Sequence, residues 1–427
     1  MTRGAETKQK AERRFVGRVT LILGFFCLLA ASLVTRAVHL QVLDKDFLNQ
    51  QADTRHLRTE KISAHRGTIT DRYGEPLAIS TPVDSIWANP KEFATAVDNV
   101  PQLANALGVD AQTLMRRITR SMDKEFVFLK RHLNPEQANQ VLALKLPGIN
   151  VQREYRRYYP ASEVTGHLVG FTNLDDQGQE GLELAFNHGL AGESGAKRVL
   201  KDRLGRSIEN VESIRPARHG KDLTTSVDLR LQYLAYRSLK AAIKTYGARS
   251  GSIVVLDVKT GEVLAMVNQP TYNPNDRSQF SPARYRNRAI TDLFEPGSSI
   301  KPLIIAAALE SGDYRPGSLV DTAPGFVTVG AKTIEDSENL GRVTLTPILA
   351  RSSNVGVTKL AMTLQPDQLW ETMTQFGFGA LTSSGFPGES AGRLTYFSHW
   401  KPISQATLAY GYGVSVTPLQ LAQAYAV

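Results

Sequence analysis

The stretch Phe294-Glu-Pro-Gly-Ser-Ser-Ile-Lys-Pro302 decides how this chain is read. It contains a Ser-x-x-Lys pattern, which also occurs at Ser194/Lys197 and Ser398/Lys401. A serine nucleophile activated by lysine needs both side chains on one helix face, about one turn apart. It also gains from a helix N-terminus aimed at a developing oxyanion. Only Ser298 has that setting. Pro296-Gly297 ends a loop, and Ile300, Leu303, Ile304, Ala307 and Leu309 then follow as an apolar helix stopped at Ser311-Gly312. Ser194 lies in Gly192-Glu-Ser-Gly195, a surface turn, and Ser398 precedes His399, Trp400 and Pro402. Read alone, Ser298 is an ordinary helix-capping serine.

A second pattern changes that balance. Ser352-Ser353-Asn354 opens another apolar helix, through Val357, Leu360, Ala361 and Leu364. Ser and Asn both suit capping, so this pattern alone also means little. The other Ser-x-Asn, Ser337-Glu338-Asn339, lies in a polar loop ahead of Gly341. Two helix starts carrying Ser298 with Lys301 and Ser352 with Asn354 give the parts of a cleft.

Upstream, Asp228 caps a predicted helix whose apolar face is Leu231, Leu234, Ala235, Leu239, Ala242 and Ile243, closed by Gly247. Two strand-like runs follow, Ser252 to Asp257 and Glu262 to Val267, joined by a Lys259-Thr260-Gly261 turn. A long helix beside an antiparallel pair predicts a layered α+β domain from residue 221 onward. Residues 54–220 mix short strands and helices with turn signals such as Arg66-Gly67, Tyr73-Gly74 and Leu204-Gly205. Ile208 to Gly220 reads as a polar connection.

At the N-terminus, Val19 to Thr35 carries no charge and is flanked by Arg18 and Arg36. It is slightly shorter than the ~20 residues of a spanning helix, but apolar spacing continues to Leu43. Lys8, Lys10, Arg13, Arg14 and Arg18 precede it, which places the N-terminus in the cytoplasm and the rest outside. An uncleaved anchor is favoured over a signal peptide, because the small residues Ala30-Ala31-Ser32 sit inside the apolar run. Met1 to Lys10 has the composition of a disordered tail.

Composition closes off other chemistries. The chain has 427 residues, 42% of them hydrophobic, and a net charge of +9. The positive charge is diffuse rather than gathered in a nucleic-acid-binding stripe. The one cysteine, Cys27, falls in the apolar run, which excludes a disulfide framework. Eight scattered histidines lack ligand spacing, so neither a metal nor a cofactor is expected. Gly192-Glu-Ser-Gly-Ala-Lys197 lacks the pattern of a phosphate loop.

With these motifs in order, the chain resembles the class B penicillin-binding proteins, in particular the septal peptidoglycan D,D-transpeptidases of division. The likeness covers nearly the whole sequence. It includes Arg66-Gly-Thr-Ile-Thr-Asp71-Arg72-Tyr-Gly74, Arg157-Tyr-Tyr-Pro160, Glu180-Gly-Leu-Glu183 and Leu200-Lys-Asp202-Arg203-Leu-Gly205. It continues with Asn268-Gln-Pro270-Thr-Tyr-Asn273-Pro274, Phe294 to Pro302, Phe386-Pro-Gly-Glu389 and Tyr410-Gly-Tyr-Gly413. The resemblance implies an α+β chain in four parts: a cytoplasmic tail (1–18), a transmembrane anchor (19–43), an elongated pedestal of the dimerisation type (54–220) and a transpeptidase domain (221–427), an antiparallel sheet flanked by helices.

It implies that Ser298 attacks the carbonyl of a D-Ala-D-Ala stem peptide and that Lys301 is the base. Ser352 would relay a proton to the leaving amine, Asn354 would hold the substrate amide and Lys301, and the Ser298 N–H would face the oxyanion. Tyr412 and Gly413 would bind substrate. Implied partners are lipid-linked stem peptides, β-lactams, the membrane and divisome proteins including a septal glycosyltransferase. The implied location is the inner membrane at the septum, with the catalytic domain in the periplasm.

The related enzymes carry a third motif, Lys-Ser/Thr-Gly on a cleft-lining strand, which should follow Tyr410 to Val427 and does not occur there. Lys259-Thr260-Gly261 is a hairpin turn ahead of Ser298 and does not replace it. The expectation is therefore an incomplete copy, truncated before its last strands, with an open sheet edge and weak activity by itself. A non-catalytic divisome scaffold is the alternative.

Overall fold

The computed structural model describes residues 23–39, 57–201, 207–276, 278 and 281–427. The basic cluster from Lys8 to Arg18, the tail, residues 19–22 and 40–43 of the expected anchor, and Asp202 to Gly205 lie outside these. Residues 23–38 are helical and exposed. No helix among the described residues is long and apolar enough to cross a membrane.

In the N-terminal half, the long strand Pro76–Ala88 organises a five-stranded sheet. Most of its residues are buried, and Val127–Leu133 and Ile149–Tyr158 both pair with it antiparallel. The helices Val100–Leu107, Ala111–Thr119 and Pro135–Ala143 cover its far end, around Ile86, Leu103, Leu107, Ile118 and Leu129. Asp110 and Asn134 cap the second and third, accepting from Thr113 N and Gln137 N, each at 2.8 Å.

Two expectations need correcting here. Ser207–Arg215 is a strand and not a loose connection, pairing with Gly195–Lys201, which pairs in turn with Leu57–Ile62. Its polar residues carry no clear period, and the pairing alone defines the strand. Ser194 lies in the short link between the helix Asn187–Ala191 and the strand Gly195–Lys201, so no helix starts there, and Lys197 on that strand cannot stand one helical turn from it. The sheet also runs past residue 220, because Leu223–Thr224 lies parallel to Ile69–Thr70.

The quoted family residues of this half meet in one place. Glu183 is fully buried between two buried arginines. It accepts from Arg66 Nε at 2.6 Å and from Arg157 Nε at 2.5 Å. Arg66 also reaches Glu183 O at 2.9 Å and Asn187 Oδ1 at 2.9 Å. Asp71 ties the two halves together. Its carboxylate accepts from Tyr73 N and Glu75 N at 2.8 and 2.9 Å, and from Leu229 N at 3.2 Å.

That last amide starts the predicted helix, Leu229–Tyr246, capped by Asp228 and closed by left-handed Gly247. Ala235, Tyr236 and Leu239 pack on Val267 of the antiparallel pair Gly251–Leu256 and Val263–Gln269. Gln232 bonds both polar groups of Met266, each at 2.8 Å, so its amide fixes helix against strand. Among the described residues, Gly251–Leu256 pairs on one side only. Beside its other edge lies a groove of about 730 Å³ whose walls include Val254, Phe294, Leu421 and Tyr425.

The second core is helical. Between its charged ends Lys301–Glu310 is apolar, and most of its residues are buried, as suits a helix set into a core. Ile300, Ile304 and Ala308 pack with Ile348, Val357, Leu360, Met373 and Phe378.

Candidate functional site

Ser298 sits in a 3-10 turn, Gly297–Ile300, that feeds directly into the helix Lys301–Glu310. Left-handed Gly297, at φ +56°, allows the sharp entry. Pro302 falls in the first turn of that helix, where a missing N–H costs nothing. The Ser298 side chain does not cap the helix. Its hydroxyl accepts instead from Ser352 Oγ at 3.1 Å.

The second helix start divides its labour. Ser353 is the cap, accepting from Gly356 N at 2.8 Å. That frees its neighbours on either side, which both turn to the cleft. Ser352 adopts φ +55°, a conformation rare for a residue with a side chain and tolerated where the surroundings hold it. The helix packs tightly on Leu345–Ala350, since a Cβ at Gly356 would lie 2.8 Å from Ile348.

Lys301 joins the two starts. It is 1% exposed, and its Nζ donates to Ser352 O at 2.5 Å, Ser352 Oγ at 2.9 Å and Asn354 Oδ1 at 2.8 Å. Asn354 Nδ2 donates to Glu335 O at 3.1 Å, which fixes its amide with the oxygen toward the lysine. Burial lowers the Lys301 pKa to about 8, against an opposing pull from Asp336. No direct hydrogen bond joins Ser298 to Lys301 among the described residues; the path runs through Ser352.

The protonation state of Lys301 sets the direction of that path. The ammonium has three donors for its three partners. The neutral amine has two donors and a lone pair, and only the Ser352 hydroxyl among those partners can donate to it. Loss of the proton therefore turns the Ser352 hydroxyl toward Lys301. Its oxygen can then accept from Ser298.

Asp336 was not legible in the sequence. Its carboxylate accepts from Ser353 Oγ at 2.6 Å, Asn354 N at 2.5 Å and Val355 N at 3.0 Å. A carboxylate at a helix N-terminus is favourable, but nothing in the local sequence links position 336 to 353.

Tyr412 is 51% exposed on a loop beside the serine. The Gly413 N–H is taken by Glu295 Oε1 at 2.9 Å. The rejected patterns stay apart from the cleft. Ser398 lies in the short turn Phe397–His399, Lys401 caps the next helix, and Asn339 closes a turn onto Gly341 N at 2.9 Å. Lys259-Thr260-Gly261 is the predicted hairpin turn. The described residues contain no group of side chains arranged to hold a metal ion.

Comparison with known proteins agrees with this geometry. Residues 251–427 match the penicillin-binding protein transpeptidase domain, and residues 61–225 match the penicillin-binding protein dimerisation domain. The probable peptidoglycan D,D-transpeptidase PbpC of Pseudomonas aeruginosa is 43% identical over 421 residues, covering 99% of this chain and 74% of its own length. The peptidoglycan D,D-transpeptidase FtsI of Escherichia coli K12 is 44% identical over 425 residues, covering 98% of this chain and 72% of its own. Among solved structures, penicillin-binding protein 3 of Mycobacterium tuberculosis, in complex with aztreonam, superposes with a TM-score of 0.63. It is 26% identical, over 86% of this chain and 64% of that one. With two matching domains in order and relatives of this identity along nearly its full length, the chain belongs to the class B penicillin-binding proteins, the division-type peptidoglycan D,D-transpeptidases.

Proposed function

We propose that Ser298 is the acyl-carrying nucleophile of D-Ala-D-Ala transpeptidation, with Lys301 as base, Ser352 as proton relay and Asn354 as the group that orients both lysine and substrate amide. The observation that carries this reading is the buried Lys301 amine, hydrogen-bonded at 2.9 Å to the hydroxyl that in turn bonds Ser298 at 3.1 Å. In acylation, the Ser298 oxygen bonds the carbonyl carbon of the penultimate D-alanine and its proton passes through Ser352 to Lys301. The bond to the last D-alanine breaks, and that amine leaves with a proton returned along the same path. In the second half, the amine of a neighbouring stem attacks the ester, an amide forms and Ser298 regains its proton. Tyr412 lines the substrate side of the cleft.

β-Lactams offer the same serine a strained amide. A labelled β-lactam should mark the protein, and Ser298→Ala should abolish the mark. An unlabelled wild-type protein that is folded, or a labelled alanine variant, would sink the assignment.

Asp336→Asn gives a finer check. It removes one acceptor for the helix-start amides and also the charge that raises the Lys301 pKa. Acylation should slow about tenfold, from loosening of Ser352 and Asn354 at roughly 1–2 kcal/mol per charged hydrogen bond lost. The rising limb of its pH profile should move to lower pH. A limb that stays in place would show that Asp336 does not act on Lys301.

Residues 19–43 are read as the membrane anchor, with residues 1–18 in the cytoplasm. The pedestal, 54–220, and the transpeptidase domain, 221–427, then stand in the periplasm. Septal action beside a glycosyltransferase is part of the same proposal, and the likeness to the D,D-transpeptidase FtsI supports it.

A further inference from the structure

We infer that Glu295 is a positioning residue for this acyl transfer: its carboxylate latches the Tyr412 loop to the turn that carries Ser298. The inference rests on the function proposed above and goes beyond the four residues assigned there.

Tyr412 stands between two left-handed glycines, Gly411 at φ +88° and Gly413 at φ +80°. Glycines hold no backbone conformation by themselves, so such a loop is ordered only by what it is tied to. Tyr412 N and Gly411 N donate back to Thr407 O and Leu408 O, each at 3.0 Å, and further ties lead to the short segment ahead of the nucleophile. Gly411 lies against Gly297, whose carbonyl oxygen would be 2.0 Å from any added Cβ, and its carbonyl accepts from Gly297 N at 3.2 Å. Gly413 N donates to Glu295 Oε1 at 2.9 Å. Just beyond, Phe294 and Val416 exchange two backbone bonds of 3.0 Å.

The Gly411 and Val416 ties are backbone contacts that persist whatever side chain stands at 295. The Gly413 tie is the one that depends on a side chain, and it fixes the residue immediately after Tyr412. Glu295 makes no ion pair among the described residues and is exposed, so its carboxylate is available for this bond. A charge-assisted bond of this kind is the stronger sort. It holds the Tyr412 ring at a set distance from the Ser298 turn before substrate arrives, and thereby acts on binding more than on the chemical step.

The test compares Glu295→Ala and Glu295→Gln with wild type by hydrogen exchange and by stopped-flow acylation with a labelled β-lactam. Loss of the bond in Glu295→Ala should speed exchange at the Gly413 amide about tenfold. The pre-acylation dissociation constant should rise by a similar factor, with the acylation rate constant within about twofold and the pH limb unmoved. Glu295→Gln keeps an acceptor oxygen and should restore most of both.

Unchanged exchange and binding in Glu295→Ala would overturn the latch, as would a glutamine variant as impaired as the alanine. A shifted pH limb would also overturn it, by showing that Glu295 acts through its charge on Lys301. Failure of wild-type labelling would refute the acyl-transfer reading, while the exchange comparison would still decide the latch.

Discussion

Lys301→Ala should slow acylation by about 1,000- to 10,000-fold, the upper range for loss of a positioned base. Burial is what makes the lysine competent. At pH 7 an ordinary amine near 10.5 is neutral in about one molecule in 3,000, whereas one near 8 is neutral in about one in ten. The wild-type rate should therefore climb about tenfold per pH unit below 8 and level off above it, as the lysine loses its proton. In the alanine variant that limb should vanish. Lys301→Arg keeps a cation but supplies no lone pair, so it should be equally slow and equally flat. An alanine variant with a wild-type pH limb would remove Lys301 from the mechanism.

The largest effect on stability is expected far from the cleft. Glu183→Ala would remove the one carboxylate hydrogen-bonded to both Arg66 and Arg157, leaving Asp176 as the acid that still acts on both through space, and breaking a buried pair in this way costs about 3–5 kcal/mol. A whole domain is stable by only ~5–15 kcal/mol, so the N-terminal half should lose most of its margin. Urea denaturation followed through the pedestal should show the midpoint fall by that loss divided by the slope, with the slope little changed. Glu183→Gln should cost less, since an amide oxygen still accepts from one guanidinium. A loss under about 1 kcal/mol in the alanine variant would mean that water reaches the arginines and that the cluster is not the keystone its burial implies.

The parts of this protein written in short-range patterns were legible in its sequence. Asp228, the 3.6-residue apolar spacing and Gly247 define a helix without help from the rest of the chain. So do the hairpin around Lys259-Thr260-Gly261 and the two serine-bearing helix starts. Choosing Ser298 over Ser194 and Ser398 needed only the helix that follows it. What stayed hidden depends on residues distant in sequence. Ser353 alone could be any of the three candidates for a cap, and the choice of 353 over 352 and 354 is made by Asp336 and by the contact of Gly356 with Ile348. Glu295 reads as a loop acid until Gly413 is brought beside it. The strand Ser207–Arg215 carries no clear period of its own and exists by pairing. The route from Ser298 to Lys301 through Ser352, instead of directly along one helix, likewise appears only when the two helix starts meet.

The seam at Gly356 constrains how such an enzyme can diverge under drug pressure. Any side chain there would drive the helix that carries Asn354 off its neighbour, and Ser352 lies on the link between them. Resistance that evolves by reshaping the cleft has to leave this seam alone.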